Sequence, residues 1–537
     1  LFAAALLALA AAPGIACPWH ERWKFLDPWS PRPPSWTPEA LAARRAAPAQ
    51  TPIARAVDGG PSEVGQWQPP QDWPVIAIHA ALLPNGRVLQ YSYPFGGPGS
   101  NAKTWDPLTG EFEDAPVDTD LFCSGLTLLP DGRVFVTGGN DYACTFQGRQ
   151  DTHVFDFREG TWTKLGDMSV GRWYPSNVAL ADGSMLIVSG LDRECTTTPV
   201  MERYSPRSGL EVKPGGERFT ALFPRLHLLT SGEVAHVGPE PDTFIYDPVG
   251  DEWRYADSTL DGDRYDGSSF RMPGAPDTVV ACGGNRYDPP GIEAKATCEK
   301  IDLSFPEPAW QATGTMHYGR AHLNPLILPD GSVLAVGGGL AQTDDLYGEP
   351  VLNAERYDPA TETWTLLPAQ QCGRMYHSTV VLLPDGRVLS AGQDLETPPP
   401  CNGGYAAEIY EPPYLFRGPR PSITSAPSEV AYGETFLIAT AQAAGIASVA
   451  LIAPTTVTHS VNTGQRFVSL PFAVSGPGEL QVTAPAGGAE APPGFYMLFV
   501  VDGDGVPSVA NWLGLASEVF ADGFETGSTV AWDSAVP

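Results

Sequence analysis

At 537 residues the chain is too long for one ordinary hydrophobic core, so several domains or one large repeat array are expected. With 62 Asp and Glu against 32 Lys and Arg, its formal net charge is −30, which argues against nucleic acid or an anionic membrane as a partner. Hydrophobic content of 42% with 57 Gly and 55 Pro describes a folded chain of many tight turns, and therefore of many short strands.

In chain order, the first segment reads LFAAALLALAAAPGIAC, an apolar run of signal-peptide length that is too short to span a bilayer. Residues 1–17 are expected to be part of a signal, so the protein is expected to be secreted or periplasmic, with a lipid anchor on Cys17 as the alternative. No other stretch is long and apolar enough for a transmembrane segment. Residues 18–64, rich in Pro, Ala and Arg, are expected to be an irregular lead-in. Eight cysteines in an exported chain suggest disulfides. Without Cys17 seven remain, so one thiol has another use.

From residue 65 a pattern recurs: apolar residues, an Asp-Gly or Asn-Gly turn, a β-branched run, then Gly. It reads LLPNGRVLQYS from Leu82, LLPDGRVFVTGG from Leu128, ALADGSMLIVSG from Ala179 and LLTSGEVAHVG from Leu228. It returns as a degenerate APDTVVACGG from Ala275, ILPDGSVLAVGG from Ile327 and LLPDGRVLSAG from Leu382. Copies about 45–55 residues apart match the kelch-type blade period. Between copies stands an aromatic, often with Asp-Pro, and then a Trp: Phe155 with Trp162, Tyr246 with Trp253, Tyr357 with Trp364. The fold class is therefore all-β, with residues 65–418 a seven-bladed kelch-type β-propeller of four-stranded antiparallel sheets. Residues 419–516 lose the pattern and alternate as short strands, which suggests an immunoglobulin-like β-sandwich. An acidic tail, 517–537, closes the sequence.

Four segments carry candidate chemistry: FCSG with Cys123, GRWYPS with Tyr174, GRMYHS with Tyr376 and His377, and VTHSVNTGQRF with His459. The first three precede a blade's Asp-Gly hairpin, and equivalent positions in a propeller face the same end of its channel. His459 would need a hairpin of the sandwich inserted into that channel. Two imidazoles and two phenolates make an N2O2 set that suits tetragonal Cu(II) better than tetrahedral zinc. Cys123 beside Tyr174 could form a thioether to the ring, which would account for the odd cysteine. Three disulfides then remain, with Cys144–Cys195, Cys282–Cys298 and Cys372–Cys401 as one of fifteen pairings.

Together these segments resemble the copper-radical oxidase family, which includes galactose oxidase and glyoxal oxidase, over roughly residues 65–515. The RWYPS and THSVN wording is closer to the glyoxal oxidase branch. The resemblance implies that Cys123 and Tyr174 form a cross-linked Cys–Tyr radical cofactor. It implies copper ligation by Tyr174, His377 and His459, with Tyr376 as axial ligand and base. The implied reaction oxidises a small-molecule alcohol, or an aldehyde as its hydrate, with O2 and releases H2O2. One departure stands out: galactose oxidase stacks a Trp over its thioether from the loop after the Tyr, and SGLDREC here has none. Trp173 would point away from Tyr174 if the segment is extended.

Taken singly, each of these residues is more often packing than chemistry. A galactose-type sugar alcohol oxidase and a non-catalytic kelch protein that binds carbohydrate or matrix are the alternatives. The latter would bind no copper. A monomer is expected. His317 and His322 precede the sixth hairpin, where channel-lining positions fall, and Arg172 and Arg374 are expected to pack blades.

Overall fold

The computed structural model describes residues 52–94, 99–141, 147–285, 293–340, 349–393 and 400–516. Among the described residues the strands form seven antiparallel sheets in a ring and two further sheets after it. The innermost strands, His79–Leu82, Gly125–Leu128, Ser176–Ala179, Leu226–Leu228, Ser268–Met272, Asn324–Ile327 and Ser378–Leu382, lead into the sequence repeat, whose β-branched run forms the second strand of each blade. Each pairs with the next strand through the predicted tight turn. In the second blade the Asp131 carboxylate accepts the Arg133 N–H at 3.1 Å while Gly132 takes φ 83°. Asn85, Asp182, Asp330 and Asp385 accept in the same way, from Arg87, Ser184, Ser332 and Arg387. The side chain mimics a backbone turn and glycine supplies the left-handed corner, so the motif repeats wherever the hairpin does.

The second repeated element joins blades. Phe155 faces Trp162, Tyr246 faces Trp253 and Tyr357 faces Trp364 across each blade's outer two strands. Their ring centroids lie 5.2, 5.1 and 5.1 Å apart. The three indole N–H groups donate to the carbonyls of Ala115, Gly216 and Gly314 at 2.9–3.0 Å, each on the chain that enters the blade. These aromatics are scaffolding: large apolar bodies between sheets, with the polar edge satisfied.

The ring closes when Gln66–Trp67, from the start of the described chain, adds antiparallel to Ala406–Glu411 of the last blade. After it, one sheet of Glu429–Ala431, Asn511–Ala516, Gly494–Asp502, Ile446–Ile452 and Phe467–Ser469 packs on another of Thr435–Ala439, Glu479–Thr483 and Phe472–Gly476. Met497 and Phe499 of the larger sheet are buried in one cluster with Leu382, Leu383 and Trp73 of the propeller, so the two parts share a core. The segment Thr456–Thr458 leaves the sandwich and adds to the inner edge of the first blade, with Thr458 opposite His79.

Disulfides join Cys282 to Cys298 and Cys372 to Cys401. The expected partner of Cys195, Cys144, lies outside the described residues, as do Cys17 with the expected signal and the tail from 517. Among the described residues no helix is long and apolar enough to cross a membrane.

Four arginines clamp the loops that enter the inner strands. Arg172 pairs with Glu202 at 2.7 Å and Arg320 with Glu355 at 2.8 Å, all fully buried. Arg264 pairs with Glu299, and Arg374 with Glu408 at 3.5 Å. Each arginine also donates to at least one loop carbonyl, as Arg172 does to Ser189 and Val200. Removing one partner strands a buried charge. Glu202→Ala is therefore expected to cost about 3–5 kcal/mol, read as a lower guanidinium midpoint, and a shift within error of wild type would refute the clamp.

Candidate metal centre

Six blades present a non-glycine residue in the left-handed region just ahead of the inner strand: Cys123 (φ 58°), Tyr174 (65°), Phe223 (48°), Asp266 (58°), His322 (63°) and His377 (66°). Each costs roughly 1–2 kcal/mol relative to ordinary backbone, and such residues gather at functional sites. Main-chain bonds tie them to one another. Tyr174 N–H donates to the Cys123 carbonyl at 2.9 Å, Phe223 N–H to Tyr174 at 3.0 Å and His322 N–H to Asp266 at 2.6 Å. Arg225 bridges the step from Phe223 to the fifth blade by donating to the carbonyls of Phe223 (3.0 Å) and Gly267 (2.7 Å). In the first blade, His79 Nε2 accepts the Cys123 N–H at 3.0 Å.

Into this ring comes the hairpin that carries His459, itself left-handed (φ 49°) together with Ser460 (φ 63°). Bonds to the propeller hold it: Ser268 donates to the Ser460 carbonyl at 2.6 Å, and the hairpin's own Gln465 accepts the N–H of Ile327 while donating to Pro325. The five residues singled out in the sequence come together. The Tyr174 and Tyr376 hydroxyls are in hydrogen-bond contact. Cys123 Sγ lies 3.5 Å from His459 Nε2, and the ligand atoms of Cys123, His377 and His459 all lie within 4.8 Å of one another. The His459 ring sits 4.5 Å from that of His377, 4.8 Å from Tyr174 and 5.4 Å from Tyr376.

The surroundings favour neutral donors. Burial, followed by the neighbouring His377, holds His459 well below the usual histidine range, leaving a lone pair on its imidazole. The Thr458 hydroxyl meets its Nδ1 at 2.6 Å, so Nε2 is the atom turned to the others. Burial, then the Cys123 and Tyr376 side chains, push the Tyr174 phenol well above its ordinary value. Donors sharing one ion at about 2.0–2.2 Å stand no more than about 4.4 Å apart, close to the 4.8 Å within which the His377 and His459 ligand atoms lie. Two imidazoles and two phenols without a carboxylate among them fit tetragonal copper.

Trp173 corrects one expectation. Because Tyr174 is left-handed rather than extended, the strand alternation breaks, and the indole lies over the Tyr174 ring at 3.9 Å between centroids with a 34° tilt. His322 does line the channel, 5.1 Å from the Tyr376 ring. His317 instead bonds Glu355 at 2.9 Å, beside the clamp. His79, Phe223 and Asp266 were missed. A signal for Asp266 and His322 was available, since both follow an arginine by two positions, as Tyr174 follows Arg172. The Asp266 carboxyl is pushed up to about 6 by burial, against the opposing pull of Arg225 and of a hydrogen bond from Asn285.

The chain resembles known proteins over both parts. The Glyoxal oxidase N-terminus family matches residues 267–409, and the Galactose oxidase-like, Early set domain family matches 420–515. An aldehyde oxidase GLOX of Vitis pseudoreticulata is 32% identical over 459 residues, covering 76% of this chain and 84% of that protein. The chain belongs to the copper-radical oxidase family. A galactose oxidase of Gibberella zeae is 29% identical over 489 residues, covering 83% and 70%. A solved fungal alcohol oxidase of the AA5 family, in complex with copper, superposes with a TM-score of 0.76 at 27% identity, covering 84% of this chain and all of that one.

In this family member the Cys123 main chain depends on His79, which is fully buried and stacked on Tyr91 at 4.3 Å. His79→Leu keeps the bulk and removes the acceptor. It is expected to cost about 1–3 kcal/mol in chemical denaturation, while His79→Gln, which restores an acceptor, recovers part of the loss. Equal losses in both variants would show that packing alone matters.

Proposed function

We propose that the chain is an exported copper-dependent oxidase that converts a small primary alcohol, or a hydrated aldehyde, with O2 to the aldehyde or acid and H2O2. The observation that carries the reading is the meeting of the sandwich-borne His459 with Cys123, Tyr174, Tyr376 and His377 in one buried cluster. In this proposal Tyr174, His377 and His459 hold the metal with Tyr376, and Cys123 joins the Tyr174 ring as a thioether. The domain limits read from the sequence, propeller 65–418 and sandwich 419–516, are retained, as is a monomer.

Copper held there would accept one electron and bring O2 to the site of its reduction. The remaining work falls to side chains. Tyr376, half-buried where Tyr174 is buried, is the phenol that meets a substrate hydroxyl and takes its proton on Oη. Tyr174 Oη takes the hydrogen from the substrate carbon, which needs an oxidised ring shielded from water. Trp173 on one face, Phe223 at 4.6 Å and Leu191 provide that shield. Per turnover two hydrogens leave the substrate and reach O2 as H2O2, so the side chains return unchanged.

Two measurements test this. Peptide mapping after loading with Cu(II) in air is expected to give a joined Cys123–Tyr174 species lighter by two hydrogens. Separate, unmodified peptides would sink the radical cofactor. Tyr376→Phe is expected to lower kcat about 100- to 10,000-fold in an H2O2-coupled assay with the cross-link still formed, and a loss below tenfold would remove Tyr376 as the base.

A further inference from the structure

The left-handed ring divides into two halves. Cys123, Tyr174 and His377 serve the proposed metal centre. Phe223, Asp266 and His322 hold the same strained position in the fourth, fifth and sixth blades, and nothing in the proposed reaction uses the last two. They are the ring's other polar pair: Asp266 Oδ2 stands 3.9 Å from His322 Nε2, and the His322 ring rests 5.1 Å from Tyr376. The imidazole is 4% exposed and the Asp266 carboxylate 23%, so the pair runs from beside the proposed base out to solvent. On its other flank Phe223 packs 4.6 Å from both Tyr174 and His459, an apolar wall. Arg225, whose charge acts on Asp266, has donors committed to the Phe223 and Gly267 carbonyls, and it holds the loops.

We propose that Asp266 and His322 are the specificity-determining wall of this pocket, accepting the second hydroxyl of a small vicinal diol or of an aldehyde hydrate whose first hydroxyl meets Tyr376. The inference rests on the reading of Tyr376 as the group that faces the reacting hydroxyl. A carboxylate edge next to an imidazole receives hydrogen-bond donors and disfavours anions and bare hydrocarbon. A hydrogen bond to a charged group discriminates against a partner lacking the donor by roughly 10- to 100-fold, because the site's own polar atoms are then left unsatisfied.

The test compares propane-1,2-diol with 2-methylpropan-1-ol, which replaces one hydroxyl by a methyl of similar size. Asp266→Gly removes the acceptor and Asp266→Asn keeps one oxygen, and both residues adopt the left-handed backbone, so the variants keep the local fold. In the copper-free protein, ligand-observed NMR titration is expected to show wild type preferring the diol by about tenfold or more. Asp266→Gly is expected to abolish that preference, with Asp266→Asn between. In the copper-loaded enzyme the ratio of the two kcat/KM values is expected to collapse in the same order, chiefly through KM. A preference unchanged in Asp266→Gly, or affinity lost equally for both alcohols, overturns the assignment whether or not the protein turns over. Peptide mapping of the Cys123–Tyr174 link in the same samples reports separately on the oxidase reading.

Discussion

The site depends on a backbone constraint: six consecutive blades each turn one residue into the left-handed region before the inner strand begins. The turn throws the side chain toward the axis instead of leaving it in the alternation of a strand. Each turn costs roughly 1–2 kcal/mol where the residue is not glycine, so the surroundings must hold it. They do so from two sides. In four of the six blades a buried Arg–Glu pair fixes the chain two or three residues earlier, and main-chain bonds pass from Cys123 to Tyr174 to Phe223.

A ring drawn from one propeller still lacks a ligand on its axis, and the fold supplies it from another part of the chain. The hairpin around His459 is anchored at both ends. Thr456–Thr458 extends the first blade, and Gln465 bonds the backbone of the sixth. Because Thr458 stands opposite His79, one register fixes two things: the position of the His459 ring and the acceptor for the Cys123 N–H. Slipping that register by one residue would point His459 to the other face. The shared core of Met497 and Phe499 with the propeller keeps the sandwich from moving relative to the ring. The sandwich is thus part of the site's geometry.

Much of this was legible in the sequence, and the reasons are local. Asx-Gly turns and aromatic–Trp pairs are short-range signals whose meaning does not depend on the rest of the fold, so the repeat could be read directly. Cys123, Tyr174, Tyr376, His377 and His459 stood out only as a set: three segments at matching positions before blade hairpins and one in the sandwich, whose side chains together make a copper donor set. Trp173 was misread because strand alternation was assumed where the backbone turns left-handed, a property that no single residue there announces. His79 carries no motif, since its role lies in accepting a main-chain N–H across two blades. Asp266 and His322 fell between these cases: the arginine two positions earlier marks them, but only once its clamp is understood does the mark have meaning.

Burial around the ring is uneven, and the unevenness bears on how such a centre can work. Cys123, Tyr174, His377 and His459 are all below a tenth exposed, walled by Trp173, Leu191, Phe223 and Val461. Tyr376 and Asp266 are the members that keep partial access to solvent. An oxidised aromatic ring must be kept from water and stray reductants, whereas a base must meet each new substrate. The fold meets both demands with positions of the same backbone design, by choosing which blades present apolar neighbours. In the proposed reading, a substrate hydroxyl meets the ring on the Asp266 and His322 side, where polar atoms replace part of its hydration.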